Sequence, residues 1–499
     1  MTPLSIFSIN LLSENLLLLV SVLVFCAILV SRIGSKLGVP SLLLFLLIGM
    51  IAGADGIGLE FEEYDLAESI GHFAMTIILF TGGLETSMND IKPVIRHGVI
   101  LSTLGVLLTA LLTGLFIYFA TGSMIGGIGS SFIGCFLLAS IMGSTDSASV
   151  FSILRGKKVH LRENLGPMLE LESGSNDPMA YVLTIILVDV LTGIHGSMTV
   201  MGTFWFALGT LALQIVVGFV AGVAIGFGAR WLLEKVKLPT TSLYSILILS
   251  IGFFANGFSS IIGGNGLLSL YVAAMIIGNY TELPQKRDIQ KFMDGMTWLM
   301  QLLMFLMLGL LARPSHMLSV AGPAILIGLF MIFIARPVSV FLCLLPFKNV
   351  SFKAKTFVSW VGLKGAGPIL FALYPVVAGL DGSSVIFNIV FFITLLSLLF
   401  QGMTLPPLAK ALDLSYDEDP KVETFGMEIP EEMGMLRDHL VTEEDLQGGS
   451  TLRDMNLPHG IRVMMVRREK HFLVPHGSME LHPGDCLVII MGESDDDLA

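Results

Sequence analysis

Carboxylate side chains lie inside two stretches of this sequence that are otherwise apolar enough to span a bilayer. Asp177 lies midway between a basic loop at residues 155–162 and the next loop at residue 192, and Asp146 lies within the small polar run Gly143–Ser149. Ionisable groups at bilayer depth are costly, so those that occur inside spans usually bind ions or relay protons. Each of these carboxylates could therefore bind a monovalent cation or a proton.

Helical spacing sorts the residues around Asp177 into two stripes. Ser173 and Asp177 are i, i+4 neighbours on one face, and Glu172 and Asn176 form a parallel stripe about 100° round the helix. One stripe can face a cation while the other faces a structural partner. Arg336 is a guanidinium inside a later apolar stretch and needs an acidic partner, for which Glu172 is the candidate.

Small polar residues also predict two broken helices. The run Gly143–Ser149 contains poor helix formers in the middle of a long apolar stretch, and the run Gly362–Pro368 interrupts another. A broken helix frees backbone carbonyls to bind a cation, and transporters often repeat such a break in the matching helix of an inverted repeat. Lys364, in the second run, could offset the negative dipole ends of the half-helices, or it could simply pack at an interface.

A structural role is open for the other residues as well. Asp177 precedes a proline and could be an N-cap, while Asp146 could cap the second half of a kinked span and still bind an ion. The hydroxyls of Thr145 and Ser173 could bond to their own i−4 carbonyls. Asn176 could either orient the site or form a simple hydrogen bond between helices.

The composition requires a membrane environment for these residues. Hydrophobic residues make up 54% of the chain and charged residues 14%, with a mean hydropathy of +0.82, whereas an average soluble domain has roughly 25% charged residues. The formal charge of −12 arises mainly from an early loop and the C-terminal segment, so it does not indicate a basic partner. No nucleic-acid partner is expected. The four cysteines form no CxxC pair, so neither a disulfide framework nor a metal site is indicated.

Apolar segments of about 20 residues, the length that crosses the bilayer core, predict an all-α polytopic membrane fold with 13 transmembrane helices. The predicted spans cover residues 14–31, 40–54, 68–86, 97–121, 127–154, 163–191, 200–233, 239–258, 259–279, 297–313, 317–345, 355–378 and 384–408. Lys and Arg collect in the loops after odd-numbered spans, and the intervening loops contain only Arg313. The positive-inside rule then places the N-terminus outside and the C-terminus inside.

The character of the sequence changes after the last span. We predict a transmembrane domain over residues 1–410, a charged linker over 411–432 and a small cytosolic α+β domain over 433–499. In this last segment, alternating apolar residues and turn signals predict four strands and one helix. The strands are expected at 435–441, 461–466, 472–475 and 486–491, and the helix at 450–455.

Several motifs together resemble the NhaP-like branch of the cation:proton antiporters. They are the Glu-Ser-x-x-Asn-Asp motif that ends at Asp177, the Thr145-Asp146 pair and Arg336-Pro337. The runs Phe80–Leu84 and Gly266–Tyr271 match as well, so that the resemblance covers all 13 spans. The C-terminal segment resembles the TrkA-C (RCK_C) ligand-sensing domain, and this pairing resembles the potassium/proton (CvrA-like) subgroup.

The resemblance implies a role for each matching residue. Asp177 would bind cation and proton in competition, with the participation of Asp146, the Thr145 carbonyl, Ser173 and Asn176. Glu172 and Arg336 would form a structural pair, and the two broken helices, spans 5 and 12, would cross. The span-12 motif usually has Arg where this chain has Lys364, and relatives often continue into a further cytosolic domain.

The resemblance also sets expectations for the whole protein. It implies a homodimer, formed through both the transmembrane and the cytosolic domains, in the lipid of a bacterial inner membrane. The N-terminus would be periplasmic and the C-terminus cytoplasmic. No cofactor is expected beyond the transported K⁺ or Na⁺ and H⁺, and a small regulatory ligand could bind to the cytosolic domain.

The expected activity is alternating-access exchange. Two carboxylates near one dehydrated cavity repel each other, so a proton or a cation can neutralise the site, but not both. Asn176 contributes no charge, which predicts electroneutral exchange of one proton for one monovalent cation. The resemblance to the potassium/proton subgroup implies K⁺ as that cation, and Na⁺ is the alternative. A channel gated by the cytosolic domain would need a carbonyl filter such as Thr-Val-Gly-Tyr-Gly, which is absent. No enzyme motif or GxGxxG fingerprint occurs either, so a transporter rather than an enzyme is predicted.

Overall fold

The computed structural model describes ten segments of the chain, residues 16–37, 40–157, 159–193, 200–281, 286–416, 436–442, 445–446, 449–455, 461–468 and 471–491. The chain divides into two compact units, Met1–Tyr416 and Asp417–Ala499. The first unit is helical, and the second contains a small sheet.

Eighteen helices and one short 3₁₀ helix, Gly127–Ser130, are described in the first unit. In the first half of the chain they are α1 Leu16–Leu37, α2 Ser41–Ala52, α3 Tyr64–Glu85, α4 Met88–Ile91, α5 Ile95–Ile125, α6 Phe132–Ile141, α7 Ser147–Gly156, α8 Leu165–Thr192 and α9 Val200–Lys235. In the second half they are α10 Thr241–Ile261, α11 Gly266–Tyr280, α12 Lys286–Leu311, α13 Pro314–Ser319, α14 Ala321–Leu344, α15 Phe352–Trp360, α16 Ala366–Phe371, α17 Leu373–Val377 and α18 Ser383–Ala411. A two-residue pair of strands, β1 His160–Leu161 and β2 Ser415–Tyr416, joins the end of α18 to the α7–α8 connection.

Seven of the described helices are long and apolar enough to cross a membrane, namely α3, α5, α9, α10, α12, α14 and α18. Shorter apolar helices accompany them, including α2, α6 and α11. On α9 the large apolar side chains of Trp205, Phe219 and Trp231 are exposed, as expected for a helix face in contact with lipid. The first unit is therefore a mostly helical polytopic membrane domain.

The helices pack in two groups. In the first, α3 packs chiefly on α11 and α12, and α2 packs on α12. A Cβ atom on Gly49 of α2 would overlap the carbonyl oxygen of Leu306, so this contact depends on a residue without a side chain, as is common where membrane helices approach closely. In the second group, α8 packs on α5 and α6, and α18 packs on α14, α16 and α7. The groups meet at several places, among them the contacts of α3 with α17, of α8 with α11 and of α12 with α16.

Two irregularities each occur twice in the second helix group. Both α5 and α14 contain a π-helical turn, at Leu101–Gly105 and Met331–Ala335, and such turns often occur near functional sites. The helical path also stops between α6 and α7 and again between α15 and α16. The two interruptions touch, because the backbone N–H of Asp146 donates a 2.9 Å hydrogen bond to the carbonyl oxygen of Leu363.

The second unit contains a four-stranded antiparallel sheet in the order β3-β6-β4-β5. Its strands are β3 Leu436–Leu440, β4 Ile461–Arg468, β5 His471–Leu473 and β6 Cys486–Met491. Val466, Leu481, Leu487 and Ile489 are buried between the sheet and the adjoining loops. Within the described residues this unit contains no helix.

The helix predicted at residues 450–455 is wrong. The segment instead runs antiparallel to a second loop, with an isolated bridge between Thr451 and Glu480. The N–H of Leu452 donates to the carbonyl oxygen of Met479, and the N–H of Leu481 donates to that of Ser450. Only one i→i−4 bond forms in the segment, from the N–H of Met455 to the carbonyl oxygen of Thr451 at 3.2 Å, which is too little for a helix.

An ion pair joins the end of one central strand of this sheet, β4, to the start of the other, β6. Arg468 on β4 donates to both carboxylate oxygens of Asp485, at 2.9 and 2.8 Å. Burial would raise the pKa of the Asp485 carboxyl, but the Arg468 hydrogen bonds and the backbone N–H of His482 hold that pKa below its ordinary value. Asp485 is therefore ionised near neutral pH and stabilises the turn before β6.

Candidate functional site

A cavity of about 680 Å³ lies in the first unit beside the two helix interruptions. It reaches the α7–α8 connection at His160 and Asn164 and passes Glu170 on its way to Asp177. Both Asp146 and Asp177 line the cavity, together with Thr145 and Ser173. Four of the five residues predicted to bind cation and proton thus line one cavity, whereas Asn176 is fully buried and does not line it.

Asp177 lies in the middle of an unbroken helix. The helix α8 runs from Leu165 to Thr192 and contains Pro178, so Asp177 is not an N-cap and that structural alternative is wrong. Pro178 lacks an N–H, and its own carbonyl oxygen accepts a 2.9 Å hydrogen bond from the side chain of Asn265.

Ser144 is the nearest hydroxyl to Asp177. Its Oγ donates a hydrogen bond to Asp177 Oδ1, and its carbonyl oxygen accepts a 2.9 Å hydrogen bond from Lys364 Nζ. Ser144 is buried and was not among the predicted site residues. The sequence offered only a weak signal for it, because Ser144 is one of several hydroxyl residues in the run Gly143–Ser149.

Asp146 caps the second half of its broken helix. Its Oδ1 accepts a 2.9 Å hydrogen bond from the N–H of Ser149, and its Oδ2 accepts a 2.5 Å bond from the Ser149 hydroxyl, which is the N-cap arrangement. A Cβ atom on Gly365 would overlap the Asp146 carboxylate. The other broken helix therefore approaches this carboxylate through bare backbone, as only glycine allows.

Polar side chains on α8 hold the extended segment between α6 and α7. Ser173 Oγ donates a 2.7 Å hydrogen bond to the Thr145 carbonyl and accepts a 3.0 Å bond from the N–H of Ser147. The Asn176 amide donates to the Thr145 hydroxyl at 2.5 Å and accepts from its N–H at 3.3 Å. Ser173 and Asn176 thus fix Thr145 at the cavity wall.

Two buried basic side chains, Arg336 and Lys364, lie near the carboxylates. Arg336 donates to Glu172, and the side chains are only 6% and 1% exposed. Lys364 is 4% exposed, and its charge interacts with those of Arg336, Glu172 and Asp177. Its backbone N–H donates a 2.9 Å bond to Ser397 Oγ, so α18 supports this interruption as well.

The charges of this cluster nearly balance. Asp146, Asp177 and Glu172 are acidic, while Arg336 and Lys364 are basic, so the ionised cluster has one negative charge in excess. In a low-dielectric interior an uncompensated charge is expensive. One bound proton or one monovalent cation would remove the excess. Among the described residues, no group of three or more His, Cys, Asp or Glu side chains is placed to hold a metal ion.

Comparisons with known proteins cover nearly all of the chain. Residues 20–411 match the family described as "Sodium/hydrogen exchanger, transmembrane", and residues 442–497 match the TrkA-C domain. The chain is 36% identical over 489 residues to the K(+)/H(+) antiporter NhaP2 of Shewanella sp. (strain ANA-3), with 96% of this chain and 81% of the relative covered. It is 34% identical over 499 residues to the K(+)/H(+) antiporter NhaP of Alkalimonas amylolytica, with the same coverage.

A solved structure shows the same fold. The sodium proton antiporter MjNhaP1 from Methanocaldococcus jannaschii at pH 8 superposes with a TM-score of 0.68. The match covers 80% of this chain and 99% of that structure at 23% sequence identity.

Proposed function

Because this chain belongs to the sodium/hydrogen exchanger family, we propose that it is an electroneutral K⁺/H⁺ antiporter that works by alternating access. The choice of K⁺ over Na⁺ is supported by relatives named K(+)/H(+) antiporters that align with 96% of the chain. Exchange leaves the transported cation and proton chemically unchanged, so the protein is a transporter and not an enzyme.

One observation carries the proposal. The half-buried Asp177 and Asp146 line a cavity and form, with the buried Glu172, Arg336 and Lys364, a cluster that has a single negative charge in excess. The cavity reaches these carboxylates, so an ion that enters it can bind there. A proton and a monovalent cation compete for this excess negative charge, so only one of them is bound at a time. Exchange of one for the other moves no net charge across the membrane.

Each site residue has a role in this proposal. Asp177 takes the proton or the cation, while Asp146, Ser173 and the Thr145 backbone add oxygen ligands as the ion loses water. Asn176 holds the Thr145 segment in place. The Glu172–Arg336 pair has a structural role because it joins α8 to α14. Lys364 has a structural role because it donates a hydrogen bond to the Ser144 carbonyl oxygen at the helix interruption.

The same proposal extends to topology and assembly. We place 13 spans in residues 1–410, with the cavity mouth and the C-terminus cytoplasmic and the N-terminus periplasmic. The repeated π turns and helix interruptions, seven predicted spans apart, support inverted repeats. A linker over 411–432 leads to a cytosolic domain over 433–499, whose TrkA-C match supports ligand regulation. A homodimer in the lipid of a bacterial inner membrane completes the proposal.

Electroneutrality can be tested in reconstituted liposomes. A K⁺ gradient should drive a pH change inside the vesicles, while the same vesicles on a solid-supported membrane should give no sustained current. An applied membrane potential should leave the exchange rate unchanged. A current that grew with voltage would overturn the 1:1 exchange, and K⁺ current without proton movement would indicate a channel instead. Repeating the flux measurement with Na⁺ separates the two ion preferences.

Replacing Ser144 with alanine should weaken K⁺ binding without unfolding the protein. The change removes the hydroxyl that donates to Asp177, and a hydrogen bond to a charged group is worth enough to weaken apparent K⁺ affinity by about tenfold. The measurement is the K⁺ dependence of exchange in liposomes at fixed pH.

Ser140→Ala is the matched control for this change. Ser140 lies on the neighbouring helix α6, is fully buried, and its hydroxyl has no hydrogen-bond partner. Its removal should leave the apparent K⁺ affinity unchanged. Equal effects of the two substitutions would show that Ser144 acts only through packing.

A further inference from the structure

A second polar group lies one helical turn beyond Asp177. Tyr181 follows Asp177 by four residues on α8 and so lies on the same helix face. Around it are His72 on α3, with its ring centroid 5.9 Å from that of Tyr181, and Tyr374 on α17, with a centroid distance of 5.4 Å. None of these three side chains was assigned a role from the sequence.

Hydrogen bonds connect this outer cluster, which consists of His72, Thr76, Tyr181, Asn256 and Tyr374. The hydroxyl of Tyr374 lies 3.4 Å from His72 Nδ1, and the amide nitrogen of Asn256 lies 3.3 Å from His72 Nε2. The same amide donates a 2.9 Å bond to the Thr76 hydroxyl. Both ring nitrogens of His72 are therefore engaged.

The outer cluster lies where the cavity ends. On α3 the cavity is lined from Met75 to Glu85, whereas His72 precedes that stretch. On α8 the lining ends at Asp177, and Tyr181 follows it. The cluster therefore closes the path on the side of Asp177 away from the cavity mouth. Phe371 fills the space beside it, with its ring centroid 6.0 Å from that of Tyr181.

One contact of the cluster, between Tyr374 and His72, crosses between the two helix groups. His72 and Asn256 lie on α3 and α10, which pack with α11, while Tyr374 and Tyr181 lie on α17 and α8. Movement of one group against the other would separate His72 from Tyr374. Glu68, one turn before His72, interacts electrostatically with both tyrosines and adds a carboxylate on the far side of the cluster.

We propose that His72, Tyr181 and Tyr374 form the outer gate of the ion path, with the His72–Tyr374 contact as the latch that holds it closed. The inference rests on the proposed alternating access. When the groups separate, the hydroxyls and the imidazole face the opened path. They then offer neutral polar contacts to a partly dehydrated monovalent cation between Asp177 and the Glu68 carboxylate.

Tyr374→Phe tests the latch, because it removes the hydroxyl and keeps the ring. Losing a hydrogen bond present only in the closed state should raise the outward-open population roughly fivefold. The apparent affinity for K⁺ is proportional to the fraction of protein molecules in the conformation that binds K⁺. In oriented proteoliposomes the apparent K⁺ affinity from the outer side should therefore tighten by roughly fivefold, while the affinity from the cytosolic side, where the dominant state binds, should barely change.

Tyr244→Phe provides the control. The Tyr244 hydroxyl donates to the Val236 carbonyl at 2.9 Å and accepts from the Leu238 N–H at 3.1 Å, and these bonds stay within the α9–α10 connection. This change should alter neither affinity. His72→Leu, which removes both contacts of the imidazole, should shift the outer affinity in the same direction as Tyr374→Phe, and it provides the second test if that variant is poorly produced.

The outcomes separate the gate from the function it rests on. If the unmodified protein exchanges K⁺ for protons but both gate variants leave the outer affinity unchanged, the latch is overturned and the antiport stands. An equal change on both sides also overturns the latch, because it indicates a general structural effect. If the unmodified protein does not exchange ions, the proposed function itself fails.

Discussion

Asp177→Asn is expected to reduce K⁺/H⁺ exchange to the background of empty liposomes. The substitution removes the one negative charge in excess in the buried cluster, so neither a proton nor a cation gains from binding. The fold should survive, because the amide has the shape of a protonated carboxyl and its oxygen can still accept from Ser144. The measurement is K⁺-driven pH change in proteoliposomes, with equal protein incorporation shown for both proteins.

Thermal unfolding in detergent gives an independent readout of the same change. K⁺ that binds only to the folded state stabilises it by RT ln(1 + [K⁺]/Kd), so K⁺ should raise the midpoint temperature of the unmodified protein and not that of the Asp177→Asn variant. Asp413→Asn is the control, because Asp413 is an exposed carboxylate whose partner Lys353 is also exposed. Intact exchange in Asp177→Asn would remove the basis of the proposed mechanism.

Local chemistry made much of the site foreseeable. A buried guanidinium needs an acid, so Arg336 pointed to a buried carboxylate, and the structure places it beside Glu172. The poor helix formers at Gly143–Ser149 and Gly362–Pro368 coincide with the points where α6 and α15 end. Both inferences depend on properties of single residues or short runs, which can be read from the sequence without knowing the fold.

Ser144 was missed because its position depends on distant contacts. Which hydroxyl of the run Gly143–Ser149 faces Asp177 is decided by the path of an extended segment. That path is set by the Asp146–Leu363 backbone bond and by Ser173 on α8. Neither contact can be predicted from the spacing of residues along the chain.

His72 was overlooked for a different reason. The hydropathy pattern predicted a span over residues 68–86, which placed His72 near its end, but α3 begins at Tyr64. The four additional residues include an acid, Asp65, and a window based on hydropathy excludes them. His72 thus lies two turns inside the helix, where its ring is partly buried among partners from α10 and α17.

The largest loss of stability is expected from Glu172→Gln. The substitution leaves the Arg336 guanidinium buried without a counterion, and breaking a buried ion pair in this way typically costs about 3 to 5 kcal/mol of folding free energy. Lys364 adds to this cost, since its charge lies close enough to repel that of Arg336. The expected result is a large drop in the midpoint of thermal unfolding in detergent and in the yield of folded protein. Glu62→Gln, which breaks the exposed pair with Arg313, should cost no more than about 1 kcal/mol.

The double variant Glu172→Gln with Arg336→Met separates the structural role of the pair from ion binding. Removing both charges relieves the unpaired guanidinium, so stability should recover most of the loss. The double variant also keeps the single negative charge in excess that Asp146, Asp177 and Lys364 provide, so exchange should be retained. The single variant lacks that excess and should lose exchange along with stability. A stable double variant without exchange would instead place the pair among the groups that bind the ion, because only then would its loss matter once folding is restored.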